Sequence, residues 1–128
     1  MRVYVAGSSS EIDRAQRAMS VLRAQGHTIT YDWTEKLLAA PGPDAELGDE
    51  VLREHAIDEV RAIQSSDGFL LLVPRKKEWT SALVEFGIAI GQVGRFVVSS
   101  GPRWSLFQTL ARRVDTDAEA LELFGRAR

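Results

Sequence analysis

The segment Phe69-Leu70-Leu71-Leu72-Val73 limits this chain more than any other stretch. It is a continuous apolar run, bounded by Asp67-Gly68 on one side and Pro74 on the other. Five apolar residues in a row carry no alternation, so neither face of such a strand can meet water. A strand of that kind belongs in the middle of a sheet covered on both faces, the environment of a parallel sheet flanked by helices.

The rest of the chain supplies what that strand needs. Val3 to Ala6 forms a second short apolar run, stopped by Gly7-Ser8-Ser9-Ser10. Ser10 is placed to cap a helix whose apolar positions Ala15, Ala18, Met19 and Leu22 recur at helical spacing up to Gly26. His27 to Tyr31 is rich in β-formers and predicts a second strand. Leu37 to Gly48 carries Pro41, Gly42 and Pro43 and predicts a loop or broken helix, the most mobile part of the chain. A helix is expected over Val51 to Ser65, with Val51, Leu52, Ile57, Val60 and Ile63 as its apolar stripe. Thr80 or Ser81 caps another helix that runs to about Gln92. Phe96 to Val98 predicts a fourth strand. Leu106 to Val114 predicts a helix leading into a short fifth strand, and Asp115-Thr116-Asp117 caps a last helix ending near Phe124-Gly125. Strand and helix alternate with connections long enough for crossovers. The expected class is α/β, with a parallel sheet of about five strands and helices on both faces. A chain of 128 residues suffices for one such domain, spanning 1–128, and the sequence has no internal repeat or linker.

Composition narrows the function classes. There is no cysteine, which excludes disulfides and thiolate metal sites, and only two histidines, which argues against a His-rich metal site. No metal or cofactor is expected: the loop at Gly7 matches neither the G-x-G-x-x-G dinucleotide fingerprint nor the P-loop pattern. The net charge is −2 with both signs interspersed, so the basic excess of a duplex nucleic-acid binder is missing. The apolar run at Met1 to Ala6 is too short for a signal peptide, and no stretch approaches the ~18 apolar residues of a membrane span. A cytoplasmic location and no membrane partner are expected.

In open parallel sheets, ligands bind beyond the C-terminal ends of the strands. Four segments fall there: Gly7 to Ser10, Asp32 to Thr34, Pro74 to Ser81 and Ser99 to Trp104. Gly7-Ser8-Ser9-Ser10 opens a helix, where backbone N–H groups and hydroxyls can hold an oxygen-rich ligand, or where serines simply cap the helix. Trp33, Trp79 and Trp104 can close the core or stack on a flat ligand such as a nucleobase. Arg75, Lys76 and Lys77 read first as solvated charge and second as phosphate contacts. Asp67 reads as the shaper of a helix-to-strand turn.

Glu85 is the anomaly. It lies in the first or second turn of its helix among Leu83, Val84, Phe86, Ile88, Ala89 and Ile90. A helix apolar nearly all round is buried, and an unpaired carboxylate inside it is costly. Two readings stay open on the residues alone: a glutamate favoured by the helix dipole, or a reactive carboxylate. Asp58 and Glu59, adjacent on the preceding helix, read first as solvated acids.

Taken together, Val3-Tyr4-Val5-Ala6-Gly7, Asp32-Trp33, Ser66-Asp67-Gly68-Phe69-Leu70-Leu71-Leu72 and Val84-Glu85-Phe86-Gly87-Ile88-Ala89-Ile90-Gly91 resemble the nucleoside 2-deoxyribosyltransferase family. Its relatives include the deoxynucleoside monophosphate N-glycosidases. The strongest match is E-x-G-x-A, here Glu85-Phe86-Gly87-Ile88-Ala89. The resemblance runs in order along nearly the whole chain. It implies a flavodoxin-like three-layer fold and a small-molecule nucleoside or nucleotide substrate. Glu85 would be the nucleophile that forms a covalent glycosyl-enzyme, with a second acid protonating the leaving base. The loop Gly7, Ser8, Ser9 and Ser10 would meet the sugar or its 5′-phosphate, and Asp32 and Trp33 would lie at the substrate.

The sequence departs from the family pattern in three places. The acid expected eight residues before Asp67 is Glu59, with Asp58 as the alternative if the register slips by one. Ser81 stands where a glycine usually precedes the nucleophile by four residues. Trp79 stands where an Asp or Ser usually precedes it by six. The resemblance also implies a homo-oligomer in which the loop after the fourth strand completes a neighbour's site, with Ser99, Ser100, Trp104 and Ser105 as candidates. The departures keep a second function class in view: a binding module for a nucleotide or related metabolite, without turnover.

Overall fold

The structure, a computed structural model, describes residues 1–39, 48–77, 81–92 and 94–127. Five parallel strands form one sheet: β1 (Arg2–Ala6), β2 (Thr28–Ile29), β3 (Gly68–Leu72), β4 (Phe96–Ser100) and β5 (Arg112–Val114). Their order is β2-β1-β3-β4-β5, the flavodoxin-like arrangement. The helices are α1 (Ile12–Ala24), α2 (Trp33–Ala39), α3 (Asp49–Gln64), α4 (Ser81–Ile90) and α5 (Asp117–Arg126). Helices α1 and α5 pack together, as do α3 and α4. With right-handed crossovers the two pairs lie on opposite faces of the sheet, giving three layers. Among the described residues, no helix is long and apolar enough to cross a membrane.

The apolar run at the centre behaves as its composition requires. Every residue of β3 is buried, between β1 and β4. Register is fixed at the strand entrance. The Arg2 N–H donates to Asp67 Oδ2 at 3.1 Å, while the Asp67 N–H returns to the Arg2 carbonyl at 2.8 Å. Gly68 follows because a Cβ there would stand 2.9 Å from Met1 Sδ and 3.0 Å from Phe124. The resulting pairing sets Tyr4 beside Phe69 and Ala6 beside Leu71. Side-chain alternation then sends Tyr4 and Phe69 to one face, where their rings stack 5.6 Å apart.

Several elements differ from expectation. The first helix is entered through a short 3₁₀ turn, Ser9–Glu11, capped by Ser8 rather than Ser10. Gly26, at φ +92°, ends α1 as predicted. The second strand shrinks to two residues because it lies at the sheet edge and pairs with β1 alone. Asp32-Trp33-Thr34 is the start of a helix rather than a loop. The Asp32 carboxylate accepts from the N–H groups of Thr34 and Glu35 and from the Thr34 hydroxyl, and so caps α2. α2 extends to Ala39, into the segment from Leu37 to Gly48 expected to be a loop or a broken helix; positions 40–47 lie outside the described residues. The fourth strand is longer than predicted and takes in Ser99 and Ser100, whose side chains the pattern alone would have left in a loop. Between β4 and β5 the expected helix is a 3₁₀ helix, Leu106–Leu110, and it leads into the short fifth strand as predicted. Of the predicted α3 stripe, Ile63 is buried but Val51 and Ile57 are exposed.

One buried cation ties the C-terminal layer to the sheet. Arg14 of α1 reaches Asp117 through two bonds, at 2.7 and 2.9 Å, and donates to the Val73 carbonyl at 2.6 Å. Glu11 and the Ser100 carbonyl take its remaining N–H groups. Burial pushes the Asp117 carboxyl up, but Arg14 and the Ser100 hydroxyl together hold it below its ordinary value of 3.8. A depressed folded-state pKa contributes stability at neutral pH that is lost as the pH falls through and below about 4. Asp117→Asn is expected to cost about 2 kcal/mol at pH 7, since it leaves Arg14 buried with half its charge partners. Urea unfolding at pH 7 and pH 3 should show the variant losing less stability on acidification than the parent chain.

Candidate active site

Glu85 is the second-turn residue of α4 that turns inward, together with Ala82, Phe86 and Ala89. Only 9% of it is exposed. Its carboxylate accepts a hydrogen bond from the Tyr4 hydroxyl, on β1. The floor beneath is aromatic: Tyr4 stacks on Phe69, and Phe69 lies 6.3 Å from Phe86. A helix apolar all round thus holds one carboxylate against one phenol over a dry wall.

That environment sets the protonation state. Burial pushes the Glu85 carboxyl up, the Tyr4 hydrogen bond pulls it part of the way back, and the charge of Glu59 raises it again, to about 8. Tyr4 is driven up from its ordinary value of 10 by burial and by the Glu85 and Glu59 charges, so it remains a donor at any working pH. Glu59, half-buried on α3, also acts on Tyr31, which sits after β2. Two carboxyls and two phenols from β1, the β2 end, α3 and α4 therefore sense one another. Asp58 is exposed and acts on Tyr31, behind burial and Glu59.

The other sequence candidates fall into three groups. Some are committed to holding the fold. Asp32 caps α2 and pairs with Arg23 at 2.8 Å, so that burial, which would raise its carboxyl, is outweighed and it lies low. Trp33 is buried, and its indole N–H donates to the Val5 carbonyl at 2.7 Å. Trp104 donates to the Pro74 carbonyl at 3.0 Å and carries Lys77 over its ring at 5.6 Å, which joins the loops after β3 and β4. Ser99 and Ser100 are buried strand residues, bonded to Gln108 and Asp117. Ser105 caps the 3₁₀ helix through Phe107, and Gln108 returns the bond to the Ser105 N–H at 2.8 Å.

A second group stays at the mouth of the sheet. Gly7 and Ser8 lead from β1 into the turn; Ser8 accepts from the Ser10 N–H at 3.2 Å, and Ser9 and Ser10 are exposed. Ser81 is exposed at the start of α4. Trp79 lies outside the described residues.

The third group was missed. Tyr4 reads in the sequence as one more apolar strand residue, and nothing local marks its hydroxyl. The one available signal was that Tyr4 is the single residue with a polar side-chain atom in Val3 to Ala6.

The sequence matches no protein-family model and no curated protein. Solved structures with a similar fold include the following three. One is a conserved protein from Enterococcus faecalis V583, with TM-score 0.76 and 16% identity, covering 100% of this chain and 99% of that one. Another is the 2-deoxyribosyltransferase of Bacillus psychrosaccharolyticus, with TM-score 0.70 and 17% identity, covering 94% and 90%. The third is the CMP N-glycosidase of Clostridium botulinum, with TM-score 0.64 and 14% identity, covering both chains completely. At such identities the likeness is one of fold, and it agrees with the architecture expected from the family resemblance.

The raised pKa of Glu85 has a consequence for stability that needs no substrate. Between its ordinary value of 4.5 and about 8, the folded chain keeps a proton that the unfolded chain has lost. Stability therefore falls as the pH rises through that window. Glu85→Gln removes the titration and keeps an acceptor for Tyr4. It is expected to gain at least ~1 kcal/mol at pH 8, roughly 4 °C in Tm, and close to nothing at pH 4.5. Thermal melts across this range check it.

Proposed function

We propose that this chain acts at the N-glycosidic bond of a nucleoside, deoxynucleoside or 5′-monophosphate, by hydrolysis or by transfer to a second base, with Glu85 as nucleophile. The observation that carries the reading is the Glu85 carboxylate, buried in an apolar helix and oriented by Tyr4. It has no ion-pair partner among the described residues. A carboxylate with only a structural task would be placed where water or a cation offsets its charge. The fold neighbours include a 2-deoxyribosyltransferase and a CMP N-glycosidase, which supports the substrate class.

The reaction follows from the parts. A Glu85 oxygen attacks the anomeric carbon as the C–N bond breaks, and the bonding pair leaves with the base. Glu59 gives that base its proton. Positive charge develops on the sugar in a dry site facing the carboxylate, where the attraction is strongest. Water or a second base then attacks the same carbon, the ester C–O bond breaks, and Glu59 recovers a proton. Ser8, Ser9 and Ser10 are offered as contacts to the sugar or its 5′-phosphate, and Gly7, Asp32, Trp33, Trp79 and Ser81 as the rest of the substrate surround. The resemblance carries a homo-oligomer in which Ser105 completes a neighbouring site.

Attack needs the ionised form of Glu85. The empty site keeps the proton on Glu85, where the charge of Glu59 helps to hold it; the reacting pair needs that same proton on Glu59, and its loss leaves no acid for the base, so kcat/KM is expected to fall as the pH rises through about 8. Liquid chromatography of released base, from nucleosides and their monophosphates with and without an acceptor base, tests the reading. Glu85→Ala is expected to lose at least ~10³-fold. Glu59→Gln should lose ~10²-fold, most with poor leaving bases, and Asp58→Asn less than threefold. Base release by Glu85→Ala at the parent rate would sink the nucleophile; a rate that keeps rising as the pH passes 8 would remove Glu59 as the proton donor.

A second reading is a nucleotide-binding module without turnover. The resting proton on Glu85 favours it, together with the longer Glu59 in place of the usual acid. It predicts a nucleotide-dependent thermal shift, retained in Glu85→Ala, with no base released.

A further inference from the structure

The 3₁₀ helix Leu106–Leu110 is turned inside out. Gln108 is its one buried side chain, fully hidden from water. Its amide donates to the Ser99 hydroxyl and to the Pro102 carbonyl, each at 3.0 Å. Its carbonyl oxygen accepts from the N–H groups of Trp104 at 2.7 Å and Ser105 at 2.8 Å. Those bonds fix which way the turn faces, and the side left to solvent is apolar. Leu106 is 66% exposed, Phe107 54% and Leu110 69%. Phe107 and Leu110 stand three residues apart, the spacing at which 3₁₀ side chains eclipse, so they form one ridge. Among the described residues, no other element exposes more than two large hydrophobics. Burial of apolar surface by itself would turn such a helix the other way, and a patch held outward against that drive marks a contact surface.

The charges around the ridge say what it meets. Residues 101–114 contain Arg103, Arg112 and Arg113 and no acid, in a chain of net charge −2. All three arginines are exposed and, among the described residues, form no ion pair. Arg112 follows Leu110 by two residues and Arg103 precedes Leu106 by three, so connectivity alone keeps those Cα atoms within about 8 and about 11 Å. Lys77 adds a fourth cation, over the ring of Trp104. Protruding apolar side chains flanked by cations match a membrane–water interface. The ridge enters the acyl boundary while the guanidinium groups stay with anionic headgroups. A protein partner would need a pocket already shaped to this convex ridge, whereas a headgroup layer yields to it. The expectation of no membrane partner rests on the lengths of apolar runs, which bear on crossing a bilayer and not on lying against one.

We propose that the 3₁₀ helix Leu106–Leu110, with Arg103, Arg112 and Arg113, is a docking site for an anionic lipid surface, with Leu106, Phe107 and Leu110 inserted and the arginines on the headgroups. The turn follows the C-terminal end of β4, and Trp104 ties it through the Pro74 carbonyl to the loop after β3. Docking therefore sets that end of the sheet toward the membrane. The proposal does not depend on the catalytic reading.

Co-sedimentation of the full chain with sucrose-loaded vesicles tests it. The probes are phosphatidylcholine alone and phosphatidylcholine with about 30% phosphatidylserine. The chain is expected to bind the anionic vesicles at least ~10-fold more tightly than the neutral ones, and to be released as salt rises. Arg112→Gln with Arg113→Gln should weaken binding about 25-fold, at roughly fivefold for each arginine. Phe107→Ser with Leu110→Ser should weaken it at least ~10-fold and keep the salt dependence. All four positions are exposed, so circular dichroism should stay unchanged. A parent chain that stays in solution at ~2 mM anionic lipid overturns the proposal. So does equal binding to both kinds of vesicle, or binding that survives both double changes. Light scattering without lipid reads the rival occupant: an oligomer that the Phe107 and Leu110 changes dissolve gives the ridge to a second copy and overturns lipid docking.

Discussion

A strand of consecutive apolar residues can lie only where both faces are hidden, and β3 imposes that condition on everything around it. It takes β1 and β4 as neighbours and requires a helical layer on each side. The register between β1 and β3, fixed by the reciprocal bonds of Arg2 and Asp67, then decides which side chains share a face. Tyr4 comes to lie beside Phe69 for that reason. A slip of one residue would turn the Tyr4 phenol to the opposite layer and leave Glu85 with no donor. The pocket chemistry is thus a consequence of sheet register.

The two layers differ in what they are built to do. On the α1 and α5 side, the buried charged group and the histidine are engaged: Arg14 bonds Asp117, Glu11 and two carbonyls, and His27 bridges the Met1 amine and the Phe124 carbonyl. On the α3 and α4 side, a carboxylate is kept neutral by burial, braced by one phenol and influenced by a second acid. Charges that are satisfied hold a fold together. A carboxyl held away from water and cations keeps its proton at rest, and a positive charge developing beside it favours the ionised form.

The aromatic residues show how far a sequence pattern reaches. Three tryptophans near strand ends can close the core or stack on a flat ligand. Trp33 is buried with its N–H on the Val5 carbonyl, and Trp104 is tied to Pro74 and Lys77. The Trp33 and Trp104 indoles each have a backbone carbonyl within reach, and a buried N–H is costly to leave unmatched. The serines of β4 were misplaced for a related reason: small polar residues resemble a loop until Gln108 and Asp117 supply them with partners inside the sheet.

The sequence by itself determined the class of fold, the strand that had to be central, the helix ends at Gly26 and Thr116, and the one carboxylate that did not suit its neighbours. These are local matters of periodicity, capping and burial cost, and each is written within a dozen residues. Only the tertiary structure decided that Tyr4 holds Glu85, 81 positions away, and that Glu59 rather than Asp58 is the acid whose charge reaches Glu85. It also decided that Val51 and Ile57 face outward from a stripe that reads as core. The physical reason is the same in each case. Side-chain chemistry at a site depends on which faces meet across the sheet and between helices, and that is fixed by register and packing between segments that know nothing of one another in sequence.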